Sequence, residues 1–200
     1  MTPFKRLIDI LSALFLGLVL SPIIIWVTLL VLIRDGRPIF FVSERMKTPE
    51  KGFGLVKFRT MRLGSDDGMA TGGDKSSRVT ETGAFLRAKR LDELPQLWNL
   101  FLGHVSLVGP RPPLRRYVEQ FPDIYREVLK ARPGITGLAS LVYHRHEALL
   151  LDRCETAEET DRIYCRACVP RKAELDVIYR DNHNVCWDFS IMFQTVFGRR

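Results

Sequence analysis

The dominant pattern in the chain is an uncharged, largely apolar run over residues 10–33. Its 24 residues exceed the roughly 18 to 20 that suggest a membrane-spanning helix. The run leads into Arg34, Asp35, Gly36, Arg37 and Pro38 rather than into the small residues of a cleavage site, so it reads as retained. Ser21 and Pro22 sit near its middle. A proline there removes the hydrogen bond to the Leu18 carbonyl, and a kink is expected. Lys5 and Arg6 precede the run, while Arg34, Arg37, Arg45 and Lys47 follow it, so both flanks carry the charge bias of a cytoplasmic face. A re-entrant helix that enters, bends and leaves on one face satisfies both flanks. A kinked helix that crosses the bilayer is the competing reading.

Beyond the anchor, residues 38–42 and 53–58 alternate or cluster aromatic and branched side chains around a Pro and Gly turn, which predicts a small β-hairpin. Residues 64–77 carry Gly64, Gly68, Gly72 and Gly73 among Ser, Asp and Thr; a mobile active-site loop and a plain surface linker both fit. A short basic helix is predicted over 83–90. Leu94, Leu97, Trp98 and Phe101 recur at helical spacing until Gly103. Residues 114–120 and 123–131 form two amphipathic stretches, suited to a membrane surface or simply to a solvated helical face. Further helix is predicted over 171–179, then an aromatic segment over 187–197 that fits interfacial anchoring or core packing. The expected fold class is α+β and mostly helical. It comprises a broken membrane helix over 1–36 and a compact cytoplasmic domain over 37–200 with interfacial helices.

Two hundred residues at 46% apolar content suffice for one such domain. The formal charge of +7 favours an anionic partner without choosing among phosphate ligands, lipid and nucleic acid. Cys154, Cys165, Cys168 and Cys186 all lie in the last quarter and should be reduced thiols in a cytoplasmic domain. Cys154, Cys165 and Cys168, with His144 and His146 nearby, could also bind zinc, but only one closely spaced cysteine pair exists and ordinary thiols are the plainer reading.

Candidate chemistry centres on Asp92 and Glu93, just before Pro95, at the start of the helix that ends near Gly103. Backbone amides at a helix start attract phosphate and favour ionised carboxylate. An acidic helix start is, however, common without any function. Its setting is less ordinary. Arg87, Lys89 and Arg90 precede the pair and Arg111 follows it, while Lys57 and Arg59 alternate with apolar residues so as to share one strand face. Arg suits bidentate phosphate contacts, and a carboxylate among cations stays ionised.

The run LDELPQLWNLFLGHVSLVGPRPP (91–113) closely resembles the signature of the small monotopic phosphoglycosyl transferases, the bacterial sugar transferase family. KFRTMR (57–62), RPGITGLA (132–139) and the N-terminal KRLIDI with its Ser and Pro break resemble further blocks of that family. The resemblance implies a membrane enzyme of polysaccharide or glycoprotein glycan assembly. In it, Asp92 would attack the β-phosphate of a UDP-sugar, release UMP and hold a phosphosugar until polyprenyl phosphate takes it. Glu93 would be the partner carboxylate, assisting Mg²⁺ placement or proton removal, with Asp92 and Glu93 as the metal-holding pair. Arg87 and Arg111 would hold phosphates, with Lys57, Arg59 and Thr60 in the same pocket, Pro112 at the nucleotide end and Arg145 as a candidate nucleotide contact.

The same resemblance implies a monotopic protein of the bacterial inner membrane with its catalytic domain facing the cytoplasm. Membrane lipid is an expected partner, nucleic acid is not, and a homodimer is compatible with the pattern. After Ala139 the chain departs from the family, with a divergent stretch over 140–170. Two rivals remain: a basic, membrane-anchored binding protein without catalysis, and a transferase acting by direct displacement. No GxxxxGK[ST] loop or GxGxxG fingerprint supports a nucleotide fold of the usual kinds.

Overall fold

The computed structural model describes residues 2–62 and 78–198, so the loop expected over 64–77 lies outside the described residues. Helix α1 (Pro3–Val19) starts where the Thr2 hydroxyl accepts from Lys5 N at 3.2 Å. Its buried residues Lys5, Asp9 and Ala13 recur every four positions and so form one stripe facing the protein. Leu7, Leu11, Leu14, Phe15 and Leu18 point away and stay exposed.

The chain bends by 63° between α1 and α2 (Ser21–Arg34). The break has a local cause. Pro22 has no N–H for the Leu18 carbonyl, and the Ser21 hydroxyl donates to that carbonyl instead, at 2.7 Å. Val27 and Val31 of α2 pack on Phe58 and Leu86, while Ile25, Trp26, Leu29 and Ile33 are exposed.

Strands β1 (Phe40–Met46) and β2 (Gly52–Phe58) form the antiparallel hairpin, in register from Phe40 opposite Phe58 to Met46 opposite Gly52. The hairpin is longer than the two segments predicted from sequence. Helix α3 (Glu81–Ala88), capped by Thr80, leads through a 3-10 turn over Leu91–Glu93 to α4 (Gln96–Leu102). Asn99 of α4 is buried and fastens this helix to the hairpin: Val56 N donates to its Oδ1 at 2.9 Å, and its Nδ2 donates to the Gly54 carbonyl at 2.7 Å.

Strands β3 (Ser106–Val108) and β4 (Gly134–Thr136) pair in parallel, with α5 (Arg115–Gln120) and α6 (Pro122–Val128) between them. The stretch after β4 is helical: α7 (Leu138–Leu151), α8 (Ala157–Ile163) and a π turn (Tyr164–Cys168) continuing into α9 (Val169–Asn182). Helix α10 (Val185–Phe197) closes the chain, burying Ile191 while exposing Phe189, Phe193, Val196 and Phe197. The fold is therefore α+β and mostly helical, with one small antiparallel hairpin.

Both ends of the bent helix pair are tied to the same globular body. Lys5 donates to the Val108 carbonyl at 3.3 Å, to Tyr179 Oη at 3.0 Å and to the Asp188 carboxylate. Arg6 donates to the Leu100 and Phe101 carbonyls at 2.8 and 2.6 Å. Asp9 accepts from Ser106 Oγ at 3.1 Å and from Leu107 N at 3.2 Å. At the far end, the Arg59 guanidinium donates to the carbonyls of Asp35, Gly36 and Arg37.

Candidate active site

Asp92 and Glu93 lie on the 3-10 turn, not in the first turn of α4, because Pro95 serves as the helix cap rather than as its first residue. Arg90 enters this turn with φ 55° and ψ 23°, a left-handed conformation that costs a residue with a β-carbon roughly 1 kcal/mol or more.

Glu93 is anchored. Its Oε1 accepts from Lys57 Nζ at 2.9 Å and from Arg111 Nη2 at 3.1 Å. Burial pushes the Glu93 carboxyl up, but the charges and hydrogen bonds of Arg111 and Lys57 overcome it and hold the group down at about 2. Lys57 is itself held below the usual range by burial, only partly offset by Glu93. Asp92 is half-buried and, among the described residues, forms no ion pair. Burial and then the neighbouring Glu93 charge raise its carboxyl above the ordinary value, against the opposing pull of Lys57 and Arg87. Of the cations expected to act on Asp92, Lys57 and Arg111 bond to Glu93 and Arg87 bonds to Thr60.

Arg87 reaches the site because α3 starts hard against Thr60. A β-carbon on Gly83 would fall 2.1 Å from the Thr60 carbonyl oxygen, so only glycine permits this approach. One turn later Arg87 Nε donates to Thr60 Oγ1 at 2.9 Å, leaving the rest of an exposed guanidinium at the edge of the acidic turn. Pro112 is buried, and its carbonyl accepts from Arg45 Nη1 at 3.3 Å.

One predicted residue, Arg59, stands elsewhere. β2 ends at Phe58, so Arg59 does not share a strand face with Lys57; its side chain is occupied by the backbone at the end of α2. Arg145 lies exposed on α7, and among the described residues no hydrogen bond or ion pair joins it to Glu93, Lys57 or Arg111.

Sequence reasoning missed Arg45 as a member of this region. Burial and then the charge of Arg111 pull Arg45 down to about 10, and its Nε has no hydrogen-bond partner. It also missed that the helical stretch after β4 reaches the site, since Tyr164 and Glu147 act electrostatically on Arg111. Lys172 binds both Glu147 oxygens at 3.1 Å and Tyr164 Oη at 3.4 Å. Only the spacing of strand residues could have pointed to Arg45. Nothing local marks Glu147 or Tyr164.

Asp92 and Glu93 offer two hard carboxylates, and Glu93 Oε2 accepts no hydrogen bond among the described residues. Such a pair fits Mg²⁺, which commonly takes one or two protein carboxylates and completes its shell with phosphate and water. The zinc reading finds no geometry. Among the described residues no three His, Cys, Asp or Glu side chains gather around a common point. The Cys154 thiol bonds to the Leu150 carbonyl at 3.7 Å and Cys165 to Gln120 at 3.6 Å, while Cys168 is buried.

The sequence model of the bacterial sugar transferase family matches residues 1–199. The chain is 32% identical over 198 residues to UDP-glucose:undecaprenyl-phosphate glucose-1-phosphate transferase of Klebsiella pneumoniae, covering 97% of this chain and 39% of that protein. It is 34% identical over 198 residues to UDP-N-acetylgalactosamine-undecaprenyl-phosphate N-acetylgalactosaminephosphotransferase of Aeromonas hydrophila, covering 96% of this chain and 42% of the relative. The chain thus spans about two fifths of the length of these two. It is also 35% identical over 205 residues to exopolysaccharide production protein PSS of Rhizobium leguminosarum bv. phaseoli, covering 96% of this chain and 92% of that protein.

Proposed function

Since the chain belongs to the bacterial sugar transferase family, we propose that it moves a sugar 1-phosphate from a UDP-sugar to a membrane polyprenyl phosphate, with Asp92 as nucleophile. The observation that carries this reading is the division of labour between the two acids. Glu93 is fixed by Lys57 and Arg111, whereas among the described residues Asp92 beside it has no cation bonded to it. A carboxylate oxygen of Asp92 attacks the β-phosphorus of the donor, and the bond to the bridging oxygen breaks, releasing UMP. A phosphate oxygen of the polyprenyl acceptor then attacks the same phosphorus and frees Asp92, giving a lipid-linked sugar diphosphate. Covalent relay replaces one encounter between two anions by two steps at a fixed site.

Arg87, anchored through Nε to Thr60, and Arg111, anchored to Glu93, each keep guanidinium nitrogens for phosphate oxygens. A cation beside Asp92 would oppose the burial and the Glu93 charge that raise its carboxyl. Mg²⁺ held by Asp92 and Glu93 would supply that charge and neutralise the transferring phosphoryl group.

The membrane reading rests on topology. Among the described residues no single helix is long and apolar enough to cross a bilayer, but the bent pair α1–α2 passes that test together. Lys5 and Arg6 at one end and the Asp35–Arg37 carbonyls at the other both attach to the catalytic body, which favours entry and exit on one face. That face is assigned to the cytoplasm, where both flanking charge clusters belong.

The test supplies the full chain in detergent with polyprenyl phosphate, Mg²⁺ and each of several UDP-sugars. Equal amounts of UMP and lipid-linked sugar diphosphate are expected with at least one donor. Binding of donor without either product would instead support the non-catalytic alternative.

A further inference from the structure

At the end of α4 remote from Asp92, cations from separate stretches of chain converge. Gly103 ends the helix with φ 75°, and a methyl group placed on it would meet Arg6 Nη2 at 3.0 Å and Arg132 Nη1 at 3.2 Å. Two guanidiniums therefore flank one residue. Lys47 and Lys51 stand in the adjacent β1–β2 turn, where Lys47 N donates to the Lys51 carbonyl at 2.8 Å. Burial and then the charges of Arg132, Arg6 and Lys51 hold Lys47 below its usual range, and burial and Arg6 do the same to Arg132, with Asp9 pulling the other way. His104, which feels Lys47, is likewise held down, chiefly by burial.

Among the described residues, none of Arg6, Lys47, Lys51 and Arg132 forms an ion pair with a carboxylate. Like charges gathered in a half-buried place repel one another unless an anion sits among them. The cluster also borders apolar surface. Phe4 and Leu7 flank Arg6 in α1, Phe101 and Leu102 immediately precede Gly103, and all four are exposed. An anion with an apolar tail fits this juxtaposition better than a free ion.

We propose that Lys47, Lys51 and Arg132, with Arg6 fixed behind them, bind the phosphate headgroup of an anionic glycerophospholipid whose acyl chains lie along Phe4, Leu7, Phe101 and Leu102. The site is separate from the one that holds the donor, because the seven residues of α4, about 10 Å of helix, lie between them. It rests on the membrane reading. Its role is to fix the depth and tilt of the body at the interface, so that the Asp92 turn stays level with phosphates in the membrane.

The test is lipid retention by the full chain in neutral detergent, read by native mass spectrometry with phosphatidylglycerol, phosphatidylcholine, polyprenyl phosphate or inorganic phosphate as the probe. Wild type should retain phosphatidylglycerol about tenfold better than phosphatidylcholine. The Lys47→Gln, Arg132→Gln double variant should lose that preference, and Lys57→Gln, at the other end of α4, should keep it. Equal retention of the two phospholipids, a preference that survives in the double variant, displacement by inorganic phosphate or retention of polyprenyl phosphate alone would each overturn the proposal. Without anionic lipid the double variant should unfold at the same temperature as wild type or higher, since repulsion has been removed; a clear drop would mean a structural role and also overturn it. Flotation of wild type with phosphatidylcholine vesicles in high salt separates the two readings. Failure to float removes the membrane reading and this site with it, whereas flotation without lipid preference removes the site alone.

Discussion

At the scale of single residues, the Asp92 and Glu93 pair was legible in sequence, but its division of labour was not, because the choice of which acid meets Lys57 and Arg111 depends on the 3-10 turn and the left-handed Arg90. Arg59 was misplaced for a similar reason: it lies just past the strand, which ends at Phe58, and its side chain turns to the backbone at the end of α2. Glu93→Gln keeps the shape but weakens both cation contacts, so turnover in a UMP-release assay should fall by about 10²-fold, more than for Lys57→Gln, which leaves Arg111 in place. A second residue-scale prediction concerns Asp176. It is buried, its Oδ1 has no hydrogen-bond partner, and burial, only partly offset by Lys172, pushes its carboxyl up to about 7 from 3.8. The folded state therefore holds this proton more tightly than the unfolded chain. Its contribution to stability is full below about pH 4, declines as the pH rises toward 7 and is level beyond. Thermal unfolding of wild type should shift to lower temperature between pH 5 and 7, and Asp176→Asn should remove this part of the slope.

At the scale of elements, proline chemistry made the break between α1 and α2 readable, since its cause is confined to Leu18, Ser21 and Pro22. The hairpin and α4 were also readable, from strand-type residues around a turn and from helical spacing ended by Gly103. Helices α7 and α8 were not foreseen, whereas residues 171–179 of α9 were, and the β3–β4 pair, three residues per strand, is too short to leave a periodic trace. Lys5 and Arg6 had been assigned to the membrane flank by charge alone. The structure instead buries Lys5 against Asp188 and Tyr179, joining α1 to α9 and α10. Asp188→Ala would strand a buried ammonium and should cost about 3–5 kcal/mol, whereas the Lys5→Met, Asp188→Leu pair should recover most of that loss in denaturant titrations.

At the scale of the whole molecule, α1, α2 and α10 each leave large apolar side chains exposed, which is what setting the protein into one leaflet would require. Cysteines introduced at Thr2 and at Arg37 should react with an impermeant reagent from the same side of sealed vesicles; labelling from opposite sides would exclude re-entrance. The α+β, mostly helical class followed from local patterns. The assembly of the site did not, because Lys57, Arg87, Glu93 and Arg111 meet only once the hairpin, α3, the 3-10 turn and the loop after β3 have packed. The most direct measurement of the central claim is the intact mass of the purified chain after exposure to Mg²⁺ and the active UDP-sugar without acceptor. One phosphosugar should be added to wild type, with UMP released in equal amount, and none to Asp92→Asn, whose turnover should drop below about 0.1%. Turnover by wild type with no added mass, or the same adduct on Asp92→Asn, would contradict the account.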